Sequence, residues 1–222
     1  MAEGFRNILV VDGYSTDNTV ELVQEKGAKL IYQHGPGKAG AVRTAIERVE
    51  TPYVLLMDGD CTYDPKDIWR LLNHADRHSH VIGAREYRTI RKLHRFGNWV
   101  ISQTFSLLFG VNLTDVCSGM YLLETKAARR YRLRERGFTV EVEMAASSAT
   151  EDEVTEVPIN YRPRVGTGKL KARYGFSILF AAIMLFRRYN PILLYSGLGA
   201  LSLLPATIVL AWVALQKLTT GI

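Results

Sequence analysis

Short apolar runs alternate along this chain with stretches whose apolar residues recur at helical spacing, and that order predicts an alternating α/β domain. Asn7 to Val11 reads as a buried strand ending at Asp12. In the Gly/Ser/Thr/Asp cluster that follows, Ser15 or Thr16 is the expected cap of a helix carrying Val20, Leu22 and Val23. A strand over Lys29 to Gln33, a helix over Ala39 to Val49 and a strand over Tyr53 to Met57 come next. Asp64-Pro65 supplies an N-cap and an N1 proline for a helix through Ile68, Leu71 and Leu72, and Val81-Ile82-Gly83 is a further strand. Strands and helices alternating at this spacing predict a parallel sheet with right-handed crossovers. Asp12, Gly35, Asp58 and Gly83, each expected just after a strand, would then line one edge.

The pattern loosens in the middle third. Leu93 to Phe109 is an apolar and aromatic helical stretch preceded by Arg85, Arg88, Arg91 and Lys92 and containing Arg95, a combination that fits a membrane interface. Ser118 to Leu123 reads as a strand, Gly137 to Ala149 as a helix with Glu141 and Glu143, and Glu153 to Ile159 as an alternating edge strand with a proline. A basic, glycine-bearing loop from Tyr161 to Lys169 leads into an amphipathic helix over Tyr174 to Phe186. Beyond it, Tyr189 to Gln216 holds no charged residue, and Ile192 to Leu215 exceeds the roughly 20 helical residues that cross a hydrocarbon core. Arg187 and Arg188 before this run against Lys217 after it place the main domain on the cytoplasmic side by the positive-inside tendency.

Composition adds one constraint. The 222 residues carry a formal charge of +6 and a pI near 9.3, which calls for an anionic partner: nucleic acid, an anionic membrane surface or a phosphorylated substrate. Two cysteines, Cys61 and Cys117, lack CxxC spacing, so neither a zinc site nor a disulfide framework is indicated, and both are expected as small packing residues. The five histidines have no metal-ligand spacing, and Asn112-Leu113-Thr114 is a chance sequon in a cytosol-facing domain.

Chemistry concentrates at Asp58-Gly59-Asp60. Side chains alternate along an extended chain, so both carboxylates project to one side at the end of a buried strand. Like charges so close call for a cation, and Mg²⁺ commonly takes one or two protein carboxylates and completes its shell with water and phosphates. A solvated Asp-Gly-Asp turn is the bland alternative. Gly35-Pro36-Gly37-Lys38-Ala39-Gly40 matches a dinucleotide fingerprint, but it follows the second strand rather than the first, and the acids beyond it come as a pair. Lys38 near a helix N-terminus is a phosphate contact on either reading.

Taken together, Val10 to Thr19, Gly37-Lys38, Asp58-Gly59-Asp60, Gly83-Ala84-Arg85, Asp115-Val116-Cys117-Ser118-Gly119, Glu156 to Ile159 and Arg164 to Leu170 resemble the family 2 inverting glycosyltransferases of the dolichyl-phosphate mannose synthase type. Among them the chain looks closest to archaeal dolichyl-phosphate sugar transferases of glycoprotein assembly. The resemblance implies an α/β, GT-A (Rossmann-like, mostly parallel) domain over 1–170, an amphipathic interface helix over 171–189 and a transmembrane helix over 190–216. It further implies a nucleoside-diphosphate sugar donor, a dolichyl or polyprenyl phosphate acceptor, a lipid membrane, no nucleic acid, and Mg²⁺ or Mn²⁺. By position, Asp12, Ser15, Lys38 and Asp58 would meet the nucleotide sugar, and Asp58 and Asp60 the metal. Arg85, Arg95, Ser118, Arg164 and Lys169 would meet the acceptor phosphate, with Asp58, Asp60, Arg85 and Arg164 catalytic. Two departures stand out: the chain opens at what corresponds to the family's second strand, and Thr62 stands where many relatives carry glutamine.

A phosphomonoester acceptor needs no general base, because its second pKa near 6 leaves it largely dianionic at neutral pH. Transfer to a glycan hydroxyl would need one, with Glu141 or Glu143 as candidates; an inert membrane-tethered nucleotide-sugar-binding subunit is the third possibility.

Overall fold

The computed structural model describes residues 4–86, 92–131, 133, 139–151, 153–163 and 173–220. Among the described residues, the first compact unit, Met1–Leu185, holds six strands and most of the helices. It begins with β1 (Leu9–Asp12), α1 (Thr19–Glu25), β2 (Lys29–Tyr32), α2 (Gly37–Arg48) and β3 (Tyr53–Met57). A 3₁₀ turn (Pro65–Asp67) leads into α3 (Ile68–Leu72), then β4 (His80–Arg85), α4 (Lys92–Phe109), β5 (Met120–Glu124) and α5 (Thr125–Arg130). The unit continues through α6 (Val140–Glu151) and β6 (Val154–Ile159), and its boundary falls inside α7 (Arg173–Tyr189).

The alternating α/β order is as expected, but the sheet is mixed. β1 and β2 pair in parallel as a two-stranded sheet, and the other four strands run in the order β3-β5-β4-β6. Within that sheet β5 is antiparallel to both β3 and β4, while β4 and β6 are parallel. The reason lies in the connection that holds α4. It leaves the sheet at Arg85 and returns at Met120, opposite Met57 at the end of β3, so the chain re-enters from the edge it left and must run back. Hydrophobic pattern is blind to this direction, because β5 is apolar on both faces. Its Tyr121 and Leu123 pack with Val42 and Ile46 of α2 and Met144 of α6. Met120 and Leu122 face the opposite way, toward Leu71, Val81 and Ile159. The reversal places the Asp115–Gly119 loop at the edge where β3 and β4 end.

Three local expectations shift. Gly83 lies inside β4, opposite Val157, where a β-carbon would meet Ile159 Cδ1 at 2.7 Å; the residue that reaches the edge is Arg85. The first helix starts at Thr19 behind Asn18, and Ser15 turns back to Asp12 instead of capping it. Asp64 does cap the turn it precedes, accepting from the Lys66 N–H at 3.1 Å.

α4 buries Ile101, Phe105 and Phe109 and leaves Phe96, Trp99 and Leu107 exposed, with the Phe96 and Trp99 rings stacked 6.0 Å apart. α7 likewise buries Ile178, Ala181, Ala182 and Leu185 and exposes Phe180. The helix expected over 171–189 therefore belongs for most of its length to the first unit.

The second unit, Phe186–Ile222, is dominated by α8 (Pro191–Thr220), with Pro205 inside it. Within Pro191–Thr219 an 18-residue stretch reaches a mean hydropathy of 2.1. It is the one helix among the described residues long and apolar enough to cross a membrane.

Candidate active site

Asp58 is the first residue beyond β3. Its N–H donates to the Gly119 carbonyl at 3.2 Å, and that strand-like approach sets the carboxylate against the Gly119 backbone. A β-carbon at position 119 would lie 2.3 Å from Asp58 Oδ2, so only glycine leaves the carboxylate where it is. Asp60 is fixed by its neighbour. Buried Thr62 donates its N–H (3.2 Å) and its hydroxyl (2.5 Å) to Asp60 Oδ1, which is the use the fold makes of the residue standing in glutamine's place. The turn between them puts Cys61 at φ 62°, and its thiol is exposed rather than packed as expected.

Lys38 comes to this carboxylate pair from the first turn of α2. The turn before it depends on left-handed Gly35 and Gly37, and on Gly40, where a β-carbon would strike the Gly35 carbonyl at 2.3 Å. The Lys38 Nζ sits 2.7 Å from Asp58 Oδ1 and 2.5 Å from Oε1 of Glu141, which projects from the first turn of α6. Burial alone would lower the lysine's pKa, but Glu141 and then Asp58 outweigh it and raise it, so the ammonium is charged. Burial pushes the Glu141 carboxyl upward against the pull of Lys38, and Glu141 Oε2 has no hydrogen-bond partner.

A second charged pair lies at the end of β4. Arg85 donates Nε at 2.6 Å and Nη2 at 2.7 Å to the two carboxylate oxygens of buried Asp115, and Nη2 also reaches the Cys117 carbonyl at 3.2 Å. Glu156 of β6 anchors the same loop by accepting from Thr114 N–H and hydroxyl, both at 2.7 Å, and from Asp115 N–H at 3.3 Å. The Arg85 guanidinium also lies 5.3 Å from the centre of the Tyr161 ring. Tyr63 stands between the two pairs: its hydroxyl accepts from Gly119 N–H at 2.7 Å, and burial pushes its pKa up to about 12. Ser118 is buried, its hydroxyl accepting from Met120 N–H at 3.3 Å.

At the end of β1, Asp12 accepts from both the N–H (2.9 Å) and the hydroxyl of Ser15. The Ser15 hydroxyl, then its N–H, lowers the Asp12 pKa and keeps the carboxylate ionised. Tyr14, at φ 64°, stacks on Tyr32 with centroids 5.2 Å apart, and both rings are exposed.

With this geometry in view, the comparison that decides the family is a match over residues 3–135 to the description Glycosyl transferase family 2. The chain belongs to that family. The matched span holds every edge residue described above except Glu141, Glu156 and Tyr161, which lie beyond it. Among its relatives in the family, the Haloferax volcanii glycosyltransferase AglJ is 39% identical over 169 residues, covering 73% of this chain and 56% of AglJ. The dolichyl-phosphate hexose transferase of the same organism is 30% identical over 179 residues, 77% of this chain and 76% of that protein. The chain thus spans little more than half the length of AglJ. The solved structure of glucosyl-3-phosphoglycerate synthase from Mycobacterium tuberculosis with Mn²⁺, UDP-glucose and phosphoglyceric acid superposes with a TM-score of 0.64 over 78% of this chain and 67% of that one. At 15% identity that likeness concerns the fold, which is GT-A-like with a mixed sheet.

Of the residues expected at the site of this family 2 chain, Asp58, Asp60 and Lys38 gather at one edge, and Ser15 and Asp12 form their own turn. Arg85 is committed through Nε and Nη2 to Asp115, and Arg95 is exposed near the start of α4. Arg164 and Lys169 lie outside the described residues. Among the described residues no cluster of three or more His, Cys, Asp or Glu could hold a metal ion. The two hard carboxylates still fit Mg²⁺ or Mn²⁺, which leave most of their shell to water and phosphate oxygens, and Lys38 beside Asp58 marks the spot as one that already attracts a cation. Tyr63, Asp115 and Glu156 escaped sequence reasoning as site residues. Asp115 and Glu156 each had a signal, standing inside a quoted motif; Tyr63 had none.

Proposed function

We propose that this chain transfers a hexose or N-acetylhexosamine from a nucleoside-diphosphate sugar to dolichyl or polyprenyl phosphate at the cytoplasmic face of a membrane, with inversion at the sugar. The observation that carries the reading is a family 2 sheet edge bearing Asp58, Asp60 and Lys38 in a chain that also carries a 29-residue apolar helix. The name of the dolichyl-phosphate hexose transferase relative points the same way.

In this reading Asp12 meets the donor base and Lys38 the diphosphate. Asp58 and Asp60 hold a divalent metal, which when bound offsets charge on the departing diphosphate. The acceptor phosphate arrives as a dianion and attacks without surrendering a proton to the protein. The chain's task is to position that phosphate and neutralise its charge, which falls to Arg95, Arg164 and Lys169, while Ser118 and Arg85 hold the Asp115–Gly119 loop. The exposed Phe96, Trp99, Leu107 and Phe180 would enter the interfacial layer while α8 spans the bilayer. A hydroxyl acceptor needs a base open to it, and Glu141 is buried with Oε1 held by Lys38, which favours the phosphate.

The test is incubation of membranes carrying the full chain with a panel of radiolabelled nucleotide sugars and dolichyl phosphate, followed by lipid extraction. Label is expected in an acid-labile lipid phosphate; label appearing only in water-soluble glycan would overturn the reading.

A further inference from the structure

The Lys38 ammonium is held by two carboxylates of different character. Asp58 lies at the open end of β3 with its side chain 31% exposed, while Glu141 is only 6% exposed on α6. The lysine stem itself is 20% exposed, so the ammonium is neither locked in the core nor free in solvent. Burial holds Glu141 in place, and its second oxygen has no partner, so Glu141 has spare capacity to bind a cation. Asp58 is also one of the two oxygen donors to which the proposed reaction assigns a divalent metal. An ammonium 2.7 Å from Asp58 Oδ1 already engages one of that carboxylate's two oxygens.

Two cations cannot share one carboxylate oxygen at contact distance without strong repulsion, and the compact, flexible lysine head is the one able to move. We infer that Lys38 is an internal counter-ion, resting on Asp58 while the site is empty and yielding that carboxylate when a divalent cation binds, with Glu141 as the pivot that keeps the ammonium at the site. On release, the ammonium stays within reach of the donor diphosphate, so one positive charge serves first the empty carboxylate and then the nucleotide. Glu141 is thereby a positioning residue: it touches Lys38 rather than the reacting atoms. The inference rests on the metal reading of Asp58 and Asp60 and adds a competition between that metal and Lys38.

The competition is measured by Mn²⁺ binding to the detergent-solubilised full chain, read by electron paramagnetic resonance of free Mn²⁺, without turnover and with or without UDP or GDP. Without nucleotide, K38M is expected to bind Mn²⁺ about tenfold more tightly than wild type, because the occupied oxygen is freed. K38R retains the charge on a fork that yields less readily, and should bind Mn²⁺ no more tightly than wild type. The double variant K38M/E141Q separates contact from net charge: it keeps the wild-type charge sum, yet exchange at Asp58 predicts that it too binds more tightly than wild type. With UDP or GDP present, the gain of K38M should shrink, since the diphosphate has lost its lysine. Equal Mn²⁺ affinity in wild type and K38M without nucleotide would overturn the exchange, as would a double variant that falls back to the wild-type value. Absence of Mn²⁺ binding in every variant, with and without nucleotide, would instead remove the metal reading itself and the exchange with it.

Discussion

Two charged pairs sit at the same edge of the sheet and are built in opposite ways. Arg85 and Asp115 meet through a planar fork with two short hydrogen bonds, and the loop bearing Asp115 is pinned a second time by Glu156. Lys38 instead lies as a single point charge between Asp58 and Glu141. A fork holds one geometry and a point charge on a flexible stem does not. The first pair therefore reads as framework and the second as the part that changes partners. This contrast also moves Arg85, expected at the acceptor phosphate, toward a supporting role, since its Nε and Nη2 already hold the loop.

The contrast can be broken at its rigid half. Replacing Arg85 with alanine strands a buried Asp115 carboxylate, and the expected cost is about 3–5 kcal/mol of unfolding free energy, measured by urea denaturation of the solubilised protein. A variant within about 1 kcal/mol of wild type would mean that the fork is dispensable. At the exchangeable half the sensitive position is Gly119. Gly119→Ala pushes a methyl group into Asp58 Oδ2, and displacing that carboxylate by about 1 Å should lower transfer on the order of 10²-fold while the protein still folds. Unchanged turnover would separate Asp58 from the chemistry.

A buried polar group with no counter-charge sharpens the comparison from outside the site. His80 of β4 is buried with Nδ1 2.7 Å from Ser148 Oγ, and that hydroxyl is itself 2.7 Å from the Met144 carbonyl. The hydroxyl gives its proton to the carbonyl, so the imidazole donates from Nδ1 and its Nε2 is left without a partner. Burial lowers its pKa from 6.5 to about 3. The unfolded chain binds a proton below pH 6.5 that the folded chain refuses, so stability is lost as pH falls from 6.5 toward 3. By pH 5.5 the loss should be about 1 kcal/mol relative to neutral pH, and His80→Leu should remove that part of the pH dependence in denaturation curves. An unchanged slope in that variant would show that other groups carry it.

Much of this was legible in the residues because it is local. The apolar run ending in Asp58 and Asp60, the glycine turn before Lys38 and the uncharged stretch of α8 each declare themselves within a few dozen residues. Strand direction did not, because Met120 to Leu123 is apolar on both faces and its antiparallel course is set by where the α4 connection returns. Glu141 was recognisable as an acid near the site but not as the partner of Lys38, and Asp115 not as the partner of Arg85. These contacts join residues far apart in sequence, and only the folded sheet edge brings them together.

On the proposed function, the Asp58–Asp60 edge drives sugar transfer to a lipid phosphate. The direct measurement compares membranes carrying wild type with membranes carrying Asp60→Ala at matched protein levels, each given radiolabelled nucleotide sugar and dolichyl phosphate and then extracted for lipid. Label in the wild-type lipid fraction, and its fall to the level of empty membranes in Asp60→Ala, is the predicted result. Near wild-type label in Asp60→Ala would contradict it.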